Sequence, residues 1–143
     1  MNPEFRRCIN NQKIKKFIQG KNLVIKELNA AISDFEQAKI SFTINKNYKW
    51  STIQCYYSMF HAARSLLYLQ NYREKSHHCL IVALKALYVE KGLLPIHLIE
   101  GLKKAKTLRE NADYYDQWSE IGVEVVLRLA EEFLEKTKLI VYS

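Results

Sequence analysis

Four polar and aromatic side chains, Tyr57, His61, Arg64 and Tyr68, follow one another at spacings of four, three and four residues. On an α-helix these spacings place all four on one side, beside the apolar face. Such a stripe can be a ligand site, a subunit interface anchored by tyrosine and arginine, or a flank whose rings pack while their polar ends reach water. We favour the interface, and the sequence leaves the other two interpretations open.

Arg109 is a second candidate. It shares a helical register with Leu102 and Ala105, which puts a guanidinium at the edge of an apolar face. Asp113 follows at i+4, so an ion pair on the helix surface is the simplest interpretation. If Arg109 faced a cleft, its guanidinium could bind a phosphate or a partner's carboxylate instead. The spacing favours the ion pair.

The histidines do not form a metal-binding pattern. His77 and His78 are adjacent, and adjacent residues of a helix diverge by about 100°. Neither His61 nor His97 has a histidine, cysteine or carboxylate at i+4. The chain also has no glycine-rich phosphate loop and no G-x-S-x-G elbow. We therefore expect no metal and no cofactor.

The elements that must position these residues are helices. Beyond residue 20, apolar residues recur at helical spacing and no segment alternates with period two. The pattern predicts an all-α protein, an up-and-down bundle of about five helices. The first helix is expected from Lys21 to Asn45, and the second from a cap at Asn47 to an end near Gln70. Ser76 is expected to cap a third helix that runs through Val89 and stops at Gly92. Pro95 is expected in the first turn of the fourth helix, and Asp116 or Ser119 as the cap of the fifth.

Cysteine usage and hydropathy bear on the compartment. Cys8, Cys55 and Cys79 form no CxxC pair and cannot all be bonded within one chain, so we expect thiols in a reducing compartment. Cys55 and Cys79 fit buried small apolar residues better than nucleophiles. No signal-peptide pattern and no run of about 18 apolar residues occurs, so we expect a cytoplasmic protein without a membrane segment.

The net charge of +7 is unevenly distributed. Residues 1–50 carry ten Lys or Arg against four Asp or Glu, whereas residues 51–143 carry twelve against eleven. We divide the chain into a basic N-terminal arm or short helix at 1–20 and a helical bundle domain at 21–143. The basic residues could neutralise phosphates, but a solubilising arm explains them as well and is favoured. They are Arg6, Arg7, Lys13, Lys15, Lys16 and Lys21.

Four ordered segments carry a family resemblance. CYYSMFHAARSLLYLQ at Cys55–Gln70 and LRENADYYD at Leu108–Asp116 are separated by SHHCLIVAL and EKGLL. Each segment alone is an ordinary amphipathic helix, but the ordered set, with ADY after an arginine, resembles the HEPN family over about residues 21–138.

The resemblance implies a bundle of about five helices that forms homodimers. HEPN proteins are often encoded beside a minimal nucleotidyltransferase as two halves of a toxin–antitoxin pair. Many are metal-independent endoribonucleases that use an arginine and a histidine separated by four to six residues, with two such motifs meeting across the dimer. A proton-transfer group and a cation suit RNA cleavage through the 2′-OH.

Arg109 takes the family's arginine position, but the histidine position is not filled. Spacings of four to six residues reach Tyr114, Tyr115 and Asp116, and all four histidines precede Arg109. Tyrosine, with a reference pKa of about 10, is a poor general base near pH 7. His61 or His77 would have to substitute in space, which no spacing requires.

We therefore expect a HEPN-type homodimer that acts by protein binding to a nucleotidyltransferase-like partner, with a degenerate ribonuclease motif. A metal-independent endoribonuclease on single-stranded RNA is the first alternative, with Arg109 on the phosphate and Asp113, Tyr114 or His61 assisting. A non-cleaving nucleic-acid-binding module is the second. The sequence leaves open whether the protein is an enzyme, with a non-enzyme favoured, and whether Tyr114 or Tyr115 is modified. The expected interface or cleft comprises Tyr57, His61, Arg64, Tyr68, Arg109 and Asp113.

Overall fold

The computed structural model describes all 143 residues, which form six helices and a two-stranded sheet. The predicted all-helical class is confirmed. The sheet was not predicted, because strands of three residues are too short to show an alternation of apolar and polar residues. In chain order the elements are α1 (Pro3–Asn10), β1 (Ile14–Lys16), α2 (Gly20–Thr43), α3 (Tyr48–Leu69), β2 (Tyr72–Glu74), α4 (His77–Leu84), α5 (Ile96–Tyr114) and α6 (Glu120–Val141).

Side-chain caps begin three of the helices at residues that the sequence indicated. The Asn47 side chain accepts a hydrogen bond from the Trp50 N–H at 3.1 Å, and Ser76 accepts one from Cys79 at 3.1 Å. Ser119, rather than Asp116, begins α6 by accepting from Gly122 at 2.9 Å. These bonds satisfy backbone N–H groups that have no partner within their own helix.

Helices α2 and α3 pack along most of their length because small residues lie between them. Ala31, Ala38, Ser51 and Ser58 are fully buried. The Ser51 and Ser58 hydroxyls donate to the carbonyls of Ala38 and Ala31, each at 2.8 Å. Helices α5 and α6 also pack against α3, and α6 contacts α2 as well, so α3 is the central helix of the bundle.

The N-terminal segment packs onto the bundle instead of extending from it. Phe5 and Ile14 are buried, and a disulfide joins Cys8 of α1 to Cys79 of α4. The prediction of thiols is therefore wrong for these two cysteines, because their separation of 71 residues gave no sign that the fold brings them together. Cys55 is a free, buried thiol, as predicted, and burial raises its pKa to about 12.

The third predicted helix changes its winding before it ends. Helix α4 continues from Leu84 into a π-helical turn at Lys85–Val89. In this turn Tyr88 is buried and its hydroxyl donates to the Leu66 carbonyl at 2.6 Å. Gly92 then adopts a positive φ of 74°, which suits its predicted role as the stop. None of the helices is both long enough and apolar enough to cross a bilayer.

Candidate functional site

Arg109 of α5 is held by polar contacts from two helices. Its Nη2 donates to the Tyr57 hydroxyl of α3 at 2.7 Å, and its Nη1 donates to the Tyr114 hydroxyl at 3.2 Å. The Asp113 carboxylate lies 3.4 Å from Nη2, which confirms the predicted ion pair. Arginine suits this place because its planar fork can hold several acceptors at once.

Aromatic rings surround the same guanidinium. Its central carbon lies 5.7, 5.3 and 5.2 Å from the ring centres of Tyr56, Tyr57 and Tyr114. Burial acts to lower the pKa of Arg109, but the neighbouring tyrosines outweigh it and raise that pKa, so the side chain stays charged. Its Nε is buried without a hydrogen-bond partner. The charge is thus stabilised by rings and hydroxyls more than by solvent.

His61 and Arg64 belong to a different cluster, on the α2 side of α3. The His61 Nδ1 lies 2.6 Å from a carboxylate oxygen of Glu27, and Nε2 lies 3.8 Å from Asp34. Arg64 donates to Glu74 at 2.9 Å and lies 3.9 Å from Glu27. Neither residue has a hydrogen bond or ion pair with Arg109.

Tyr68 lies next to Arg64, whereas His77 lies near Tyr56. The Tyr68 ring lies 5.1 Å from that of Phe17, next to the sheet. The His77 ring lies 6.2 Å from that of Tyr56, whose other contacts include Arg109. Burial, with a smaller effect from Lys106, lowers the pKa of His77 to about 4, so its imidazole is neutral at pH 7. The stripe of the sequence thus divides in two, with Tyr57 beside Arg109 and the other three residues on the side of Glu27 and Glu74.

The Arg109 cluster continues onto an exposed aromatic surface. Tyr114 and Tyr115 are 62% and 68% exposed where α5 ends, and Trp118 of the following loop is 46% exposed. We call Tyr57, Arg109, Asp113, Tyr114 and Tyr115 the Arg109 face. Arginine and tyrosine side chains are typical anchors of protein interfaces.

Several partners of these residues were not predicted from the sequence. Tyr56 was not among the predicted site residues, and Glu74 lies on a strand that was not predicted. Glu27 and Asp34 are seven residues apart, which places both on one face of α2. That spacing was available in the sequence and would have indicated an acidic face opposite His61.

The fold and these contacts define a small all-helical protein with an arginine and tyrosine cluster at the end of one helix. Residues 26–140 match the HEPN domain family, and the chain belongs to that family. It is similar to two proteins of Methanocaldococcus jannaschii. "Putative toxin MJ0605" is 31% identical over 109 residues, which cover 76% of this chain and 81% of that protein. "Putative toxin MJ0142" is 29% identical over 112 residues, covering 72% and 76%.

Proposed function

We propose that this protein is the toxin-like HEPN component of a paired system and acts by protein binding. It forms a homodimer through the Arg109 face and binds a nucleotidyltransferase-like partner in the cytoplasm. One observation carries the proposal: Tyr57, Tyr114 and Asp113 hold the Arg109 guanidinium on a face where Tyr114 and Tyr115 remain exposed. The names of the two archaeal relatives support the toxin-like part.

The same geometry favours binding over cleavage. General acid–base catalysis requires a proton-transfer group within hydrogen-bond reach of the reacting atoms. No histidine shares a hydrogen bond with Arg109, His61 is paired with Glu27, and His77 has a lowered pKa. A neutral imidazole with a pKa of about 4 is a weak base.

The dimer is tested by light scattering with two matched variants. Tyr114→Asp removes an exposed ring from the proposed interface and puts a carboxylate in its place, and burying that charge is costly. Tyr142→Asp is the control, because Tyr142 is 64% exposed, close to the 62% of Tyr114, but lies at the end of α6. We expect masses of two chains for the parent and Tyr142→Asp, and of one chain for Tyr114→Asp. A parent mass of one chain at micromolar concentration would contradict the proposal.

The partner is tested by co-expression with the nucleotidyltransferase-like protein of the neighbouring reading frame. We expect the two proteins to co-purify, and growth inhibition by the HEPN protein alone to be relieved by its partner. If the neighbouring gene encodes no such protein, or the two do not associate, the paired-system proposal fails.

The endoribonuclease alternative is decided by incubation with labelled single-stranded RNA in the presence of a chelator. We expect no cleavage by the parent. Cleavage that is lost in Arg109→Ala, but kept in Arg128→Ala on the exposed side of α6, would establish the enzyme and refute the binding-only function.

A further inference from the structure

The two short strands bring four cations onto one face. In the antiparallel pair Lys15 lies opposite Arg73, and the Lys75 N–H donates to the Lys13 carbonyl at 2.8 Å, one step further along. Residues two apart on a strand share a face. We call Lys13, Lys15, Arg73 and Lys75 the basic ribbon.

The charges of the basic ribbon have no partners. No carboxylate lies within 4.0 Å of any of its four side chains; the only aromatic contact is that of Arg73, 5.5 Å from the ring centre of Phe17. Glu74 pairs with Arg64 instead. Nearby positive charge, first that of Lys15, lowers the pKa of Lys75. Like charges directly opposite one another destabilise a sheet, so repulsion among these cations destabilises the folded strand pair.

The ribbon is the centre of a larger positive surface. Residues 1–21 contain six Lys or Arg and one acid, Glu4, and so carry most of the net charge of +7. A groove lined by Arg7, Lys13 and His78, with Glu4 as its one acidic residue, extends from the ribbon along α1 and the start of α4. The Cys8–Cys79 disulfide fixes the two sides of this groove together.

We propose that the basic ribbon binds the phosphate backbone of a nucleic acid, at a surface separate from the Arg109 face. A polyanion would relieve this repulsion among the four cations. Binding is also favoured because each phosphate that a cation neutralises releases condensed counterions. Protein interfaces instead centre on apolar anchors and are depleted in lysine. The ribbon presents four cations and no apolar side chain, which favours a nucleic acid over a folded protein. Contacts with the phosphate backbone position the nucleic acid but do not distinguish its base sequence.

This inference goes beyond the proposed function and does not require it. A homodimer that never cleaves RNA could still use the ribbon. A ribonuclease would need it only as a secondary contact.

The test is fluorescence anisotropy with a labelled single-stranded DNA, which lacks the 2′-OH and so cannot be cleaved through it. The parent is compared with Lys15→Glu/Arg73→Glu and with Lys26→Glu/Lys104→Glu. The second variant is a matched control, since it makes the same charge change at exposed positions of α2 and α5. Four phosphate contacts predict a slope of log affinity against log salt of about −3. We expect the ribbon variant to bind at least tenfold more weakly, with a slope smaller by about 1.4, while the control stays close to the parent.

Thermal unfolding separates lost binding from lost folding. The ribbon variant replaces one pair of like charges directly opposite one another with another such pair, so its melting temperature should stay close to that of the parent. Weaker binding by a variant of undiminished stability supports the proposal. Three results would overturn it: no binding at 50 mM salt, an equal loss in the control, or equally effective competition by polyglutamate, which would point to an acidic protein.

Discussion

Arg109 shows how a partly exposed charge can be held in place without a strong ion pair. Its carboxylate contact with Asp113 is 3.4 Å, longer than its 2.7 Å bond to Tyr57. The tyrosine hydroxyls and ring faces supply the remaining stabilisation. An arrangement of this kind positions an arginine firmly while leaving Tyr114 available at the surface. At the scale of the residue, this is the property that an interface anchor needs.

His77 makes the free energy of unfolding depend on pH in the acidic range. Its folded-state pKa of about 4 lies below the ordinary 6.5, chiefly because of burial, with Lys106 lowering and Glu110 raising it. The unfolded chain therefore binds the extra proton, so the contribution of this group is present above pH 6.5 and is lost as pH falls towards 4. We expect His77→Gln to lose less stability than the parent over this range, measured by urea unfolding at several pH values.

The neighbouring histidine provides the control for this prediction. His78 is exposed, and His78→Gln should follow the pH dependence of the parent. Parallel curves for His77→Gln and the parent would show that His77 does not set the acid dependence.

At the scale of elements, the start of α2 fits closely against the end of α3. A Cβ on Gly20 would lie 2.5 Å from the backbone oxygen of Tyr68, whereas one on Gly101 would meet only the Leu129 side chain, at 3.0 Å. Backbone cannot move aside as a side chain can. We expect Gly20→Ala to lower the free energy of unfolding by about 1–3 kcal/mol.

Gly101→Ala is the matched comparison for Gly20→Ala. Alanine has a helix propensity about 1 kcal/mol more favourable than glycine, and this gain offsets the cost of moving the Leu129 side chain. We therefore expect the free energy of unfolding to change by less than about 1 kcal/mol. Equal losses in the two variants, measured by urea unfolding, would contradict the close contact between α2 and α3.

The helices were predictable because their apolar spacing and caps are local. Asn47, Ser76 and Ser119 begin helices where the sequence indicated. The π-helical turn after Leu84 has no local sequence signal, because it depends on the burial of Tyr88 against Leu66, which is distant in sequence. The candidate site divides in the same way. The Arg109–Asp113 pair is local and was predicted from spacing. The hydrogen bond from Arg109 to Tyr57 spans 52 residues, and no spacing indicated it, although the family resemblance placed both residues at one cleft.

At the scale of the whole molecule, the distribution of charge has two distinct parts. His61 and Arg64 lie among Glu27, Asp34 and Glu74. The side chains of the basic ribbon form no ion pair, and Glu4 is the one acidic residue that lines the adjoining groove. Sequence counting located the basic excess in the N-terminal third but not the contribution of Arg73 and Lys75. Only pairing of the two strands brings these cations beside Lys13 and Lys15.

The disulfide should contribute to the stability of the entire chain. Its sequence separation of 71 residues corresponds to a loop-closure contribution of about 4 kcal/mol, so reduction should lower the free energy of unfolding by up to that amount. Thiol titration of the unfolded protein should give one free thiol before reduction, that of Cys55, and three after it. Three thiols before reduction would contradict the bond.

The same bond makes residues 8–79 a covalent ring that contains all of α2 and α3. The exposed turn between these helices, around Lys46, is open to proteases. A single cut there opens the ring without releasing a piece, so the nicked protein stays one covalent molecule. Its two fragments should separate on a denaturing gel only after reduction, with α2 leaving on the N-terminal fragment and α3 remaining with the rest of the chain.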